Sequence, residues 1–193
     1  MSEAEPRAPR HEAANPQARD VWETIAREAE AESPLWGAAL RPAGEREEIR
    51  IFSTLCREPF SLGLETIYEG YLLHHGRPRL FAPGDGDAAI LLGDYLYAHG
   101  LVRLAHLGLV GVIADLAELI SLCSQLRAER SPGDGAAWAA TAAVLGADDA
   151  RLADARAALR DRRDPGALAG LAEDAAGVEP VARVLALHRE RVE

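Results

Sequence analysis

Leu64 to Tyr97 read LETIYEGYLLHHGRPRLFAPGDGDAAILLGDYLY, and this stretch decides the fold class. Apolar residues recur at helical spacing up to the two histidines, so a helix is expected over Leu62 to Leu73. Glu65 and Glu69 are four apart and fall on one face of that helix. Gly76 to Asp87 is rich in Gly, Pro and Asp and reads as a loop. Ala88 to Leu107 then forms a helix that is apolar nearly all round, the pattern of a buried central element. Little β-branched alternation occurs anywhere in the chain, so the fold class is all-α.

The order of polar residues in this stretch resembles the trans-type polyprenyl diphosphate synthases. In that family an Asp-rich helix of the form DDxxD runs, four residues later, into RRGxP, and a helix with a Gly-Asp pair follows at a fixed distance. Here Glu65, Thr66 and Glu69 stand at the three aspartates, and His74 and His75 at the two arginines. Gly76 and Pro78 stand at the Gly and Pro, with Arg77 between them, and Gly93 and Asp94 match the later pair without a gap. Upstream, GAALRP from Gly37 to Pro42 resembles GKxxRP, with Ala38 in place of the lysine and Arg41 retained. The resemblance covers about half the chain. It implies a shortened isoprenoid-synthase-like helical bundle with a degenerate Asp-rich motif at Glu65, Thr66 and Glu69. It also implies a degenerate diphosphate-binding set of Arg41, His74, His75 and Arg77, and scaffold positions at Gly76, Pro78, Gly93 and Asp94.

The chemistry of those exchanges bears on function. A prenyl synthase holds an allylic diphosphate while its carbon–oxygen bond ionises, with Mg²⁺ bridging carboxylates to phosphate oxygens at about 2.1 Å. Glu65 and Glu69 could still converge on Mg²⁺, but Thr66 removes one anionic ligand. Arginine grips diphosphate with a permanent fork, whereas histidine, with a reference pKa of about 6.5, is mostly neutral at pH 7. All 21 basic residues are arginine, so no lysine serves a second diphosphate. The second Asp-rich helix implied by the resemblance has no counterpart after Arg130. Asp148 and Asp149 follow Gly146 as a helix start, and Asp154 comes one position too late for the pattern. No cofactor is therefore expected, with Mg²⁺ at Glu65 and Glu69 the exception if that site is functional.

Composition narrows the remaining classes. The 193 residues are 48% apolar but only 5% aromatic, so alanine and leucine must fill the core. A formal charge of −10 argues against nucleic acid and anionic lipid as partners. Cys56 and Cys123 lie in apolar helical patterns and read as small buried side chains in a reducing cytosol. No segment suits a bilayer span: Asp94, Arg103, His106 and Asp115 interrupt the apolar runs. The opening MSEAEPRAPRHEAANPQ carries acids and prolines, with no apolar core, and reads as a disordered tail over residues 1–18 rather than a signal peptide. The expected location is cytoplasmic.

Residues 19–130 are expected to form the synthase-like core and 131–193 a set of short helices packing on it, with SPGDG at Ser131 to Gly135 as the boundary. Helices are expected over Pro16 to Ala31, on Val21, Trp22, Ile25 and Ala29, and over Glu45 to Arg57, on Ile49, Phe52 and Leu55, with Pro59 as its stop. Leu109 to Arg130 forms a further helix, followed by Trp138 to Leu145, Asp149 to Arg162, Pro165 to Ala175 and Glu179 to Val192. Asp94 should be paired within an apolar neighbourhood. His99, Arg103 and His106 read as a polar seam against an acidic helix, or as the lining of an anion cavity. His74 and His75 point about 100° apart and do not suit one metal ion.

Three functions fit these residues. The first is a catalytically degenerate structural or regulatory partner in isoprenoid biosynthesis, working as a homo-oligomer or as a heterodimer with a full-length prenyl synthase. The second is a minimal Mg²⁺-dependent isoprenoid diphosphate synthase. The third is a non-enzymatic helical binding protein for a prenyl or other apolar ligand. Glu65 and Glu69 are expected to look across a cleft toward Gly93 and Asp94, and the apolar Ala88 to Ile113 region to be covered by a partner.

Overall fold

A computed structural model describes residues 16–193, all-helical with no strand among them. The expectation of a tail falls largely outside the described residues, although Pro16 already opens α1 (Pro16–Glu32). Val21, Trp22, Ile25 and Ala29 of α1 are buried on one face, as their spacing predicts. Ser33 caps the short α2 (Pro34–Ala39), its hydroxyl accepting the Leu35 N–H at 3.1 Å.

The expected helix over Glu45 to Arg57 does not form. Two single 3₁₀ turns, Ala43–Glu45 and Phe52–Thr54, flank a stretch without regular secondary structure. Its backbone polar groups are claimed by tertiary partners: Ile51 donates its N–H to Glu65 at 3.2 Å, and the Ile49 carbonyl accepts from Arg79 at 2.9 Å. Pro59 does not stop a helix; it lies in the first turn of α3 (Glu58–His75), where its missing N–H costs nothing.

The central buried helix is α3, not the one after it. Phe60, Leu64, Ile67, Tyr68, Tyr71 and Leu72 on α3 are each at most 2% exposed. On α4 (Gly86–Ala105) the buried positions are confined to Leu92, Gly93, Leu96, Gly100 and Leu104. The two helices run antiparallel and meet through glycine. A Cβ on Gly70 would lie 2.8 Å from the Gly93 carbonyl oxygen, and one on Gly100 2.9 Å from that of Gly63. Gly63 and Gly70 are seven apart, as are Gly93 and Gly100, so both contacts recur on one face after two turns. Asp85 closes the connecting loop by accepting the Ala88 N–H at 2.8 Å at the start of α4.

The second half packs into the same core. On α5 (Val110–Ala128), Val112, Leu116, Leu119, Cys123 and Leu126 are buried at alternating steps of four and three. The alanine-rich α6 (Asp134–Val144) is buried almost throughout and touches α5, α7 (Arg151–Arg162), α8 (Gly166–Ala176) and α9 (Val178–Val192). Trp138 of α6 stacks on Phe52 at 5.6 Å and meets Tyr68 edge-on at 5.0 Å, joining both halves. Asp149, one residue before the N-cap Ala150 of α7, accepts the Arg151 N–H at 3.0 Å, while no side chain caps the helix at Ala150 itself. Cys123 is buried, Cys56 is half-buried, and both are free thiols. Among the described residues no helix is long and apolar enough to cross a membrane.

Candidate functional site

Glu65 and Glu69 do share one face of α3, and both are fully buried. What they face is Arg79, in the loop after α3 and also fully buried, rather than a cleft leading to Asp94. Arg79 donates from Nη1 to Glu65 at 2.6 Å and from Nε to Glu69 at 2.9 Å. Glu69 Oε1 also accepts the backbone N–H groups of Arg79 and Leu80, both at 2.7 Å, so the acid pair fixes the loop as well as the side chain. The guanidinium lies over the ring of Trp22 at 4.6 Å and that of Tyr68 at 5.0 Å. Burial opposes the charge on Arg79, but Glu65 and Glu69 outweigh it and hold the group above its ordinary pKa. Thr66 turns away, donating its hydroxyl to the Leu62 carbonyl at 2.7 Å.

The expected diphosphate-binding residues divide. Arg41 and Arg77 both act on Glu47, whose carboxyl is held below its usual range by a hydrogen bond from Arg191, with further pull from Arg77 and Arg41. Arg77 also donates to the Glu190 carbonyl, and a Cβ on Gly76 would lie 2.7 Å from the Arg191 carbonyl oxygen. Gly76 thus serves the meeting of α3 with α9, with Pro78 half-buried beside it. His74 and His75 belong elsewhere. His74 stacks on Tyr97 at 5.1 Å with Nε2 3.3 Å from Asp94, at ion-pair range but outside hydrogen-bond geometry. Asp94 is not in an apolar neighbourhood, as its side chain is 67% exposed. A Cβ on Gly93 would lie 2.5 Å from His74 Nε2, so the His74 ring rests against the bare backbone of α4 there. His75 packs on Tyr71, and burial, with the charges of His74 and Arg127, lowers its pKa to about 4. His99 pairs with Glu28 of α1 at 2.9 Å and Arg103 donates to the same carboxylate, the polar seam expected for that stripe, while His106 is exposed.

A second polar cluster was not anticipated from the sequence. Asp134, in the boundary segment at the start of α6, accepts on one oxygen from the Tyr71 hydroxyl, from Arg127 and from His188 Nε2, the last at 3.2 Å. His188 Nδ1 lies 2.9 Å from the Tyr68 hydroxyl. Burial works to raise the pKa of Asp134, but these donors prevail and hold it well below the usual carboxylate range. Burial raises both tyrosines, so they remain neutral donors. Tyr68 touches both clusters, its hydroxyl on His188 and its ring against the Arg79 guanidinium.

The side chains at the resembling positions thus form a closed ion cluster and a set of helix contacts. Among the described residues no group of three or more His, Cys, Asp and Glu side chains is placed to hold a metal ion. No family model, no curated protein and no solved structure matches this chain.

Proposed function

We propose that this protein acts by association and not by catalysis, as a prenyl-synthase-like structural or regulatory partner of a full-length synthase in isoprenoid biosynthesis. The observation that carries this reading is the Glu65, Arg79 and Glu69 cluster. Oxygens that would bridge Mg²⁺ to diphosphate instead hold a guanidinium from the same chain and three backbone N–H groups. The loss of charge at His75 supports it, as do the separate attachments of Arg77 and His74.

An apolar corner supports the association half of the reading. Leu91 and Val102, eleven residues and three turns apart on α4, are 57% and 55% exposed, and Ile90 lies beside Leu91. Leu107, Leu109 and Val110, around the turn into α5, are exposed as well, Val110 at 81%. Large apolar side chains left exposed around one helix junction are candidates for burial against a partner. Co-expression with a trans-type synthase, followed by affinity capture and mass measurement, tests the reading. A stoichiometric complex lost on Leu91→Glu with Val110→Asp supports it; a monomer that captures no synthase refutes it.

A further inference from the structure

A cavity of about 820 Å³ lies between the end of α5, the first turn of α6, α8 and α9, within the size range of small-molecule sites, about 300 to 1,000 Å³. Its walls include Pro132, Ala136, Ala169, Ala182, Leu185 and Val192, and its polar pole is Asp134 with His188. The Asp134 carboxylate is unequally used. One oxygen accepts from Tyr71, Arg127 and His188, while Oδ1 accepts from none of the described residues. The side chain keeps 13% of its surface exposed, and Asp134 lines the cavity, so the open oxygen is the one a ligand would meet.

Charge narrows the ligand. Arg127 offsets Asp134, and Arg130 and Arg189 are matched in number by Glu173 and Glu193. A cavity balanced in this way gives no net attraction to a multiply charged anion. His188 engages Tyr68 and Asp134 through its two nitrogens and has none left to act as a base on a ligand. We propose that this cavity binds a small apolar molecule ending in one hydrogen-bond-donating head group, a hydroxyl or a primary ammonium, with that group on Asp134 Oδ1 and the apolar body against Ala136, Ala169 and Leu185. The site is separate from the Glu65 and Glu69 cluster and does not depend on the partner reading.

Titration of the full chain with 1-hexanol, hexylamine and hexanoate, followed by amide chemical shifts, tests this. The alcohol and the amine should shift Gly133, Gly135, Ala169 and Leu185 saturably, and hexanoate should bind at least tenfold more weakly because its carboxylate meets that of Asp134. Ala169→Trp fills the cavity from α8 without touching the polar cluster and should abolish both responses. Asp134→Asn should weaken the amine at least tenfold; if that variant fails to fold, the Ala169→Trp result decides. Equal affinity for all three probes, no saturable shift at these amides, or unchanged binding to Ala169→Trp would each overturn the proposal.

Discussion

Arg79 supplies the positive charge between Glu65 and Glu69 from within the chain, and this makes the fold sensitive to its replacement. Removing one partner of a buried ion cluster leaves the rest uncompensated and costs about 3 to 5 kcal/mol. Arg79→Met should therefore lose about that much in denaturant unfolding. Arg79→Lys should recover only part of it, because one ammonium cannot reproduce the fork that reaches both carboxylates and the Ile49 carbonyl. A loss below about 1 kcal/mol for Arg79→Met, of the size seen for exposed pairs, would show that the cluster is not buried as described. His75 makes a pH-dependent contribution. Its folded pKa of about 4 lies below the ordinary 6.5, so the unfolded chain takes up a proton in that window which the folded chain refuses. Stability should fall as pH drops from about 6.5 to 4, and His75→Asn should flatten that part of the profile in thermal unfolding. The acid pair was legible in the sequence from its spacing of four. Its cation was not, because Arg79 follows Pro78 in a loop, where helical periodicity carries no information; two acids on a buried helix face were the signal that an arginine had to be near.

The crossing of α3 and α4 is the element-level feature that the fold depends on most. Gly70 and Gly100 allow backbone to approach backbone, so a methyl group at either must move a helix and not a side chain tip. Gly70→Ala and Gly100→Ala should each destabilise by about 1 to 3 kcal/mol, the usual cost of overpacking. Gly44→Ala, where a Cβ would meet nothing within 4 Å, should be close to neutral in the same assay. The helices that declared themselves in the sequence were those with their own apolar period, α1 and α3 to α9, each within a few residues of expectation. The stretch from Arg46 to Ile51 carries a helical spacing yet forms no helix, because the buried Glu65 and Arg79 claim its backbone groups. Sequence alone points to α4 instead of α3 as the central helix for a related reason. Exposed apolar residues at Ile90, Leu91 and Val102 look the same in sequence as buried ones, while α3 hides two charged residues that pair internally.

At the scale of the whole molecule, one continuous core joins α3 to the C-terminal helices, and the apolar corner of α4 and α5 stays outside it. Leu91→Glu should raise solubility and leave the melting temperature nearly unchanged, since a half-exposed side chain contributes little to the core; a drop of many degrees would place Leu91 inside it. The central claim is that the acid pair on α3 is a structural ion cluster and not a magnesium site. Incubating the purified chain with Mg²⁺, isopentenyl diphosphate and an allylic diphosphate, and measuring chain-elongated product, tests that claim most directly. The account predicts no turnover above background, with or without Glu65→Ala. Magnesium-dependent formation of a prenyl diphosphate, lost on Glu65→Ala in protein that circular dichroism shows to be folded, would contradict it.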